Sequence, residues 1–456
     1  MAKGTLFELP EPEAPKPEGL TSPQQARVLR PVRNQVEWVE RDLDASLPED
    51  HPARAIWTFL ERLDLSQFYA SIKSVLGRAG HPTTDPQVLL ALWLYATSEG
   101  IGSARQIDRL CKEHDAYRWL CGGVPINYHT LSDFRVAHQE ALDNLLTEIL
   151  ASMMHAGLVK LHHVAQDGMK VRASAGSSSF RRESSLERCL AEAEQQVAAL
   201  AAEREQPDPG RSKRQEAARQ RAARERQRRV EEALRRMPKV QAAKERRKKN
   251  QPKAERNKVS EARVSTTDPE CRVMKMPDGG FRPAYNLQLA TDEDSQIIVA
   301  VAVDTTGSDG GQAPAGLEQV ERRTGRLPEA YLFDGNFAKR EDVTALERRG
   351  VTVYAPTRSP RTTTSGRTKA EPRWDDTPEV AAWRKRMETE EAKEIYKGRA
   401  ATSECVNAHA RRHSLTQLLV RGADKVRSVL LLVAISHNLL RWMTLSAGPS
   451  ALEQVI

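Results

Sequence analysis

FRPAYNLQLATDEDSQIIVAVAVDTT, residues 281–306, holds two strand-like runs joined by the acidic turn Glu293-Asp294. β-branched and aromatic side chains recur in both runs, as suits a pleated and partly buried surface. Strand pattern continues on both sides of this pair. Downstream, a helical pattern near 312–323 leads to EAYLFD, a strand ending at Asp334. Residues 337–349 are helical again, and VTVYAP is another short strand. Upstream, LHHVAQD is a short β-type run ending at Asp167. A polar stretch at 358–378 precedes a long helical pattern from about 379 to 413. DKVRSVLLLVAISHNLLRWM closes the chain as a buried helix.

Between the Asp167 run and the 281–306 pair, residues 183–260 are helical, dominated by Ala, Glu, Gln and Arg. With few large apolar side chains, such a helix buries little by itself. It is expected to project as an arm or hairpin, broken near Pro207-Asp208-Pro209-Gly210. The order β, arm, β, β, α, β, α, β, α describes an α/β fold: a mixed sheet with a long helical insertion after its first strand. Residues 50 to about 160 read as all-α. Asp85 can cap the first free N–H groups of a helix in which Pro86 takes the first position, and QVLLALWLYA follows as a buried segment. SARQIDRLCKEHDAYRWLCGG and NYHTLSDFRVAH then give two or three short helices, either a helix-turn-helix or a plain bundle. The expected organisation is a disordered Pro/Glu-rich tail over 1–30 and a helical N-terminal domain over 31–158. A catalytic domain over 159–456 follows, interrupted by a basic arm over 176–262.

Composition narrows the function classes. Hydrophobic content is 39% and charged content 29%. No apolar run approaches the ~20 residues that span a bilayer, and the N-terminus lacks an apolar signal core. Five scattered cysteines without a C-x-x-C pair favour neither a disulfide framework nor a zinc ribbon. A cytoplasmic protein without a membrane partner is expected. Residues 211–260 carry 20 Lys/Arg against 6 Asp/Glu, a local +14 that leaves −6 for the rest of a chain whose net charge is +8. A block this basic suits a polyanion, nucleic acid first.

Asp167 and Asp334 each close a strand-like run, and neighbouring strands would bring them together at one rim of the sheet. Paired carboxylates repel unless a cation intervenes, and hard divalent ions prefer oxygen ligands. Two such ions roughly 3.5–4 Å apart suit phosphodiester chemistry. The plainer alternative is a turn. Asp167-Gly168, Asp334-Gly335 and Asp278-Gly279 are all Asp-Gly pairs, a common hairpin signal. Farther on, Tyr396, Ala400, Glu404, Asn407 and Arg411 fall within a ~80° arc of one helix, and Arg399 widens it to ~140°. That face carries a carboxylate beside an aromatic hydroxyl and guanidinium groups suited to phosphate. A solvated amphipathic helix is the plain alternative. His437, in an apolar helix, is expected to be a core residue.

These stretches resemble the bacterial insertion-sequence transposases of the DDE type, whose catalytic domain is ribonuclease-H-like. The resemblance rests on QDGMKVRASA around Asp167, STTDPECRVMKMPDGGFRPAYNLQLAT and LFDGNF around Asp334. It rests also on YKGRAATSECVNAHAR around Glu404, RGADKVRSVLLLVAISHNLLRW, and the N-terminal LLALWLYATSEGIGSARQIDRLCKEHDAYRWLCGG. It implies that Asp167, Asp334 and Glu404 are the catalytic acids and hold two Mg2+ ions, or Mn2+. It implies that Tyr396 and Arg399 contact DNA phosphate, with Arg411 where relatives carry a further basic residue. Four residues separate Arg399 from Glu404, where some relatives have three. DNA is the implied partner, as terminal inverted repeats and as target, with a homodimer on the DNA and a bacterial, nucleoid-associated location. The implied reaction is strand cleavage at the element end, then attack of the freed 3′-hydroxyl on target DNA. Three rivals are a nuclease that cuts without joining, a catalytically silent DNA-binding protein, and a recombinase using Tyr396 as nucleophile. The Arg and His cluster expected of the last is not evident.

Overall fold

The computed structural model describes residues 42–70, 72–74, 82–203, 212–249, 261–357 and 373–446; the expected tail over 1–30 lies outside them. Seven helices open the described chain: α1 (Pro52–Glu61), α2 (Ser66–Tyr69), α3 (Pro86–Ser98), α4 (Ala104–Glu113), α5 (Asp115–Cys121), α6 (Tyr128–Ala137) and α7 (Gln139–His155). Their starts follow from the sequence. The Asp85 carboxylate accepts the Gln87 N–H at 2.8 Å, with Pro86 at the first position of α3. Asn127 accepts two N–H groups at the start of α6. Gly122, at φ +54, takes the left-handed conformation that ends α5, a conformation glycine adopts at little cost.

β1 (His163–Arg172) does not end at Asp167 but continues to Arg172. Gly168 supports this, because a side chain there would collide with Asp309, Gln288 and Asn286. β2 (Phe180–Arg181) follows, then the arm: α8 (Glu183–Glu203) and α9 (Lys213–Lys249). The buried seam of the arm uses Leu186, Ala193 and Leu200 against Ala223, Val230 and Met237. Both sets recur every seventh residue, the spacing of a coiled-coil seam. Ion pairs Arg219–Glu203 at 3.1 Å and Arg226–Glu192 at 3.4 Å run along the antiparallel pair. β2 pairs with β3 (Val264–Ser265) and closes the base of the insertion.

The main sheet adds β4 (Arg272–Lys275), β5 (Phe281–Asp292) and β6 (Ile298–Asp304). After α10 (Ala313–Thr324) come β7 (Ala330–Leu332), α11 (Arg340–Glu347) and β8 (Thr352–Tyr354). Its order is β4-β5-β1-β7-β8, with β6 pairing β5. β5 is antiparallel to β1, whereas β7 runs parallel to β1 and β8 parallel to β7. The sheet is therefore mixed, as expected. The long helical pattern after residue 379 is two helices, α12 (Pro378–Arg386) and α13 (Glu390–Arg412). The break has a local cause, since the Thr389 hydroxyl accepts the Ala392 N–H at 3.2 Å and starts a new helix.

α14 (Ala423–Leu445) is long and apolar enough to cross a membrane by length and composition. Here it is a core helix, packed against α3, α7 and β6. One apolar core runs from the N-terminal helices through α14 to the sheet, and Trp93, Leu90, Leu287 and Leu431 all belong to it. A buried ionic knot ties the same layers. Asp143 on α7 accepts from Arg323 of α10 at 2.5 Å and from Arg427 of α14 at 3.0 Å.

Candidate active site

Strand alternation sorts the side chains of β1 between two faces. Ala165 shares a cluster with Ala330 and Leu332 of β7, and Ile395 of α13 packs against it. α13 therefore covers this face, and Asp167 stands on it. Parallel pairing joins His163 to Ala330, Val164 to Tyr331 and Ala165 to Leu332. The same offset carried forward brings Asp167 level with Asp334, just beyond the last pair.

The three Asp-Gly pairs have different structures. Asp167-Gly168 lies inside β1, paired with Leu289 and Gln288. Asp334-Gly335 is the turn leaving β7, in which the Asp334 carboxylate accepts the Asn336 N–H at 2.7 Å. Only Asp278-Gly279 makes the hairpin bend the dipeptide suggests, with Gly279 at φ +81 between β4 and β5.

Asp167 is held from α13. Arg399 donates through Nη2 to its Oδ1 at 3.1 Å, and Asn407 donates through Nδ2 to its Oδ2 at 2.8 Å. Burial pushes the Asp167 carboxyl above its ordinary value. Arg399 and the Gly168 N–H oppose this, while nearby Asp334 and Asp309 add to it. Tyr396 is pushed up by burial as well, with Asp334 and Asp167 raising it and Arg399 lowering it. Asp167, Asp334, Tyr396 and Arg399 thus form one neighbourhood. The Arg399 guanidinium lies 6.0 Å from the centre of the Tyr396 ring.

Glu404 and Arg411 stand apart. Both are exposed on α13, and neither makes a hydrogen bond or ion pair among the described residues. The side of α13 turned inward carries Ser403 and Asn407, both buried. Glu404 lies at the solvent edge of that side. No group of three or more His, Cys, Asp or Glu is gathered closely enough for a metal ion among the described residues.

Two further features escaped the sequence. On the opposite face, Asn286 and Gln288 of β5 donate to Asp309 Oδ1 at 2.6 and 3.0 Å, bringing a third aspartate to the rim beside Asp167. The visible signal was the polar alternation of Asn286 and Gln288 among Tyr285, Leu287 and Leu289. The second feature is a pair of orphaned atoms. Arg399 Nε and Ser403 Oγ, both on α13, are buried without a hydrogen-bond partner. A buried unpaired donor is costly, and an anionic oxygen arriving at Arg399 would relieve that cost.

Asp334, Asp309 and Tyr396 bring oxygens into the neighbourhood of Asp167, whose own two carboxylate oxygens accept from Arg399 and Asn407. Burial beside two other carboxylates disfavours the charged form of Asp167, and a hard divalent cation would favour it again. Asp167 and Asp334 are carboxylates of the kind such an ion prefers, whereas Glu404 is exposed on α13 without a partner among the described residues.

Two family matches bear on the chain. Residues 41–137 match a family described as Transposase domain (DUF772). Residues 357–443 match a family described as Transposase DDE domain. The first spans α1 to α6; the second spans α12 to α14 with Tyr396, Arg399 and Glu404. Asp167 and Asp334 fall outside both. No curated protein gives a match, and no solved structure does.

Proposed function

We propose that this chain, with its two transposase-domain matches, acts as an insertion-sequence transposase of the DDE type, cutting DNA at the element ends and joining the freed 3′-hydroxyl to target DNA. The observation that supports this reading is the electrostatic proximity of Asp167, inside β1, to Asp334, in the turn leaving the parallel neighbour β7, with Arg399 and Tyr396 of α13 beside them. Sheet topology supports a ribonuclease-H-like domain. β6, β5 and β1 form an antiparallel meander, and β7 and β8 continue it in parallel on the far side of β1.

Asp167, Asp334 and Glu404 would hold two Mg2+ or Mn2+ ions. When bound, such ions lower the pKa of water and stabilise charge on phosphate oxygens. The chain's own residues position the substrate. Arg399, with Nε unpaired, offers its planar fork to a phosphate near the cut, and Tyr396 adds a hydroxyl beside it. Asn407 keeps the Asp167 carboxylate oriented if Arg399 turns to phosphate. Arg411 would reach DNA farther along α13. α1 to α7 would contribute DNA binding, and two copies would act together on the paired ends.

A nuclease on the same fold is the second reading, favoured by nothing in particular beyond the shared acids. The deciding experiment supplies purified protein with Mg2+, a labelled terminal-repeat duplex and a supercoiled target. Joined products support transposition. Cut ends that never join leave a nuclease, and intact ends under all conditions defeat both.

A further inference from the structure

Two clefts of nearly equal size flank the root of the arm, where α8 and α9 meet β2 and β3. One, of about 470 Å³, balances its charges: Arg182, Lys244 and Lys248 against Glu183, Glu245 and Glu261. Arg182 is engaged there by Glu261 at 2.6 Å. The other, of about 480 Å³, gathers Arg181, Arg188, Arg226 and Arg229 against Glu192 alone. The two are similar in volume, but one is neutral in balance and the other strongly positive. Only the second concentrates positive potential.

The four arginines differ in what they already hold. Arg226 takes Glu192 at 3.4 Å and the Gln196 amide oxygen at 3.0 Å. Arg229 turns Nη1 to Glu225 at 3.1 Å, yet its Nε is buried without a partner. The side chains of Arg181 and Arg188 are exposed and make no hydrogen bond or ion pair among the described residues. Two free guanidinium forks beside a buried orphan donor suit an anion with several oxygens, which accepts parallel N–H bonds. The Thr267 hydroxyl lines the same cleft. Around the cleft, α9 alone carries 16 Lys/Arg against 5 Asp/Glu. That excess favours an extended polyanion over a small ion, which would need the cleft only.

We propose that this cleft is a DNA phosphodiester-binding site at the root of the arm, separate from the carboxylate site. The inference rests on the transposase reading for the identity of the polyanion. β1, which carries Asp167, is the strand that precedes β2 and its Arg181, with a short 3-10 turn (Ser177–Ser179) between them. A duplex gripped here is therefore anchored on the chain segment that follows the first catalytic acid. Contacts of this kind position DNA without reading its sequence.

The test uses the full-length protein and a fluorescein-labelled duplex of random sequence, followed by anisotropy over a salt series without magnesium. Each phosphate contact contributes about −0.9 to the slope of log K against log salt. Arg181→Gln/Arg188→Gln should flatten that slope by about 1.8 and weaken binding at least roughly tenfold near physiological salt. Lys244→Gln/Lys248→Gln removes the same charge from the balanced cleft and should flatten the slope by less than half as much. Equal losses from both double variants, or no loss from the arginine pair, overturn the proposal. So does loss of the difference when millimolar inorganic phosphate is added, since that marks a small-ion site. Circular dichroism melts of both variants show whether folding has changed, and single variants replace a double that does not fold. Magnesium-dependent nicking is scored in parallel. A protein that shows the expected slopes but never nicks keeps the cleft and loses the transposase reading. One that nicks with slopes indifferent to Arg181 and Arg188 does the reverse.

Discussion

Asn407 and Asp167 are joined by a 2.8 Å hydrogen bond from Nδ2 to Oδ2, across 240 positions of sequence. Because Asn407 holds one carboxylate oxygen and Arg399 the other, Asp167 is oriented from α13 before any substrate arrives. Four expected outcomes follow from this and related contacts.

Asp167→Asn, Asp334→Asn and Glu404→Gln each keep side-chain volume and remove a metal-binding charge. Each should leave the fold and DNA occupancy nearly intact, because phosphate contacts come mainly from Arg and Lys. Magnesium-dependent nicking should fall by two or more orders of magnitude, since the reaction needs charge stabilised on both entering and leaving oxygens. Paired substitutions should cost little more than single ones. Nicking by Glu404→Gln at the wild-type rate, with both Asp variants dead, would remove Glu404 from the set. Glu391 or Glu394 would then be the acids to substitute.

Gly398 of α13 packs close against Glu293, in the turn just after β5. A Cβ there would run into the Glu293 carboxylate, which His163 Nδ1 holds at 2.8 Å. Gly398→Ala should cost about 1–3 kcal/mol as an overpacked contact and displace Arg399 beside it. Glu293→Ala in the same chain should restore much of the loss, a coupling that urea denaturation of the two singles and the double will measure. Additive losses would show that the clash lies elsewhere.

Asp143 is the anion on which Arg323 and Arg427 converge, and the Arg323 side chain is 0% exposed. Removing the carboxylate leaves a buried guanidinium without its counter-charge. Asp143→Ala should therefore lower stability by about 3–5 kcal/mol. Asp143→Leu with Arg323→Met, which removes both charges, should recover most of it. The denaturation midpoint at constant slope is the readout, and a mild effect of Asp143→Ala would show that water reaches Arg323.

His437 is buried, and it donates through Nε2 to the Gln296 carbonyl at 2.8 Å. Burial lowers its pKa to about 4 from the ordinary 6.5; the hydrogen bond opposes that shift, and His413, His409 and Arg441 add to it. The native state thus keeps it neutral where the unfolded chain takes up a proton. Stability is full above the unfolded value of 6.5 and falls as pH drops toward 4. The loss is about 3 kcal/mol, at roughly 1.4 kcal/mol per pKa unit. His437→Gln, which keeps a donor for Gln296, should flatten the stability profile across that window. An unchanged profile would assign the acid sensitivity to other groups, such as His413, whose pKa burial also lowers.

Elements with strong local signals were legible in the sequence. Asp85-Pro86 starts α3 as its chemistry dictates, and the strand pair around Glu293-Asp294 is β5 and β6. What escaped depended on neighbours distant in sequence. Asp167 looked terminal because Gly168 follows it, yet that glycine is required by Asp309, Asn286 and Gln288 from other segments. The α13 face was also placed differently by the sequence. Angular spacing grouped Glu404 with Tyr396, Asn407 and, on a wider arc, Arg399, whereas tertiary contact ties Arg399 and Asn407 to Asp167, buries Ser403 and leaves Glu404 exposed. Spacing says which residues share a stripe, but only the packed partner decides which part of the stripe turns inward.

The arm also bears on how quickly the sheet can form. β1 must wait for β5, and closing so long a loop costs entropy that slows folding. The heptad seam of α8 and α9 can assemble from neighbours in sequence, and β2 with β3 then fastens the two ends of the insertion together. Once zipped, the insertion behaves as a short tether, so β1 and β5 meet as though a much shorter loop lay between them.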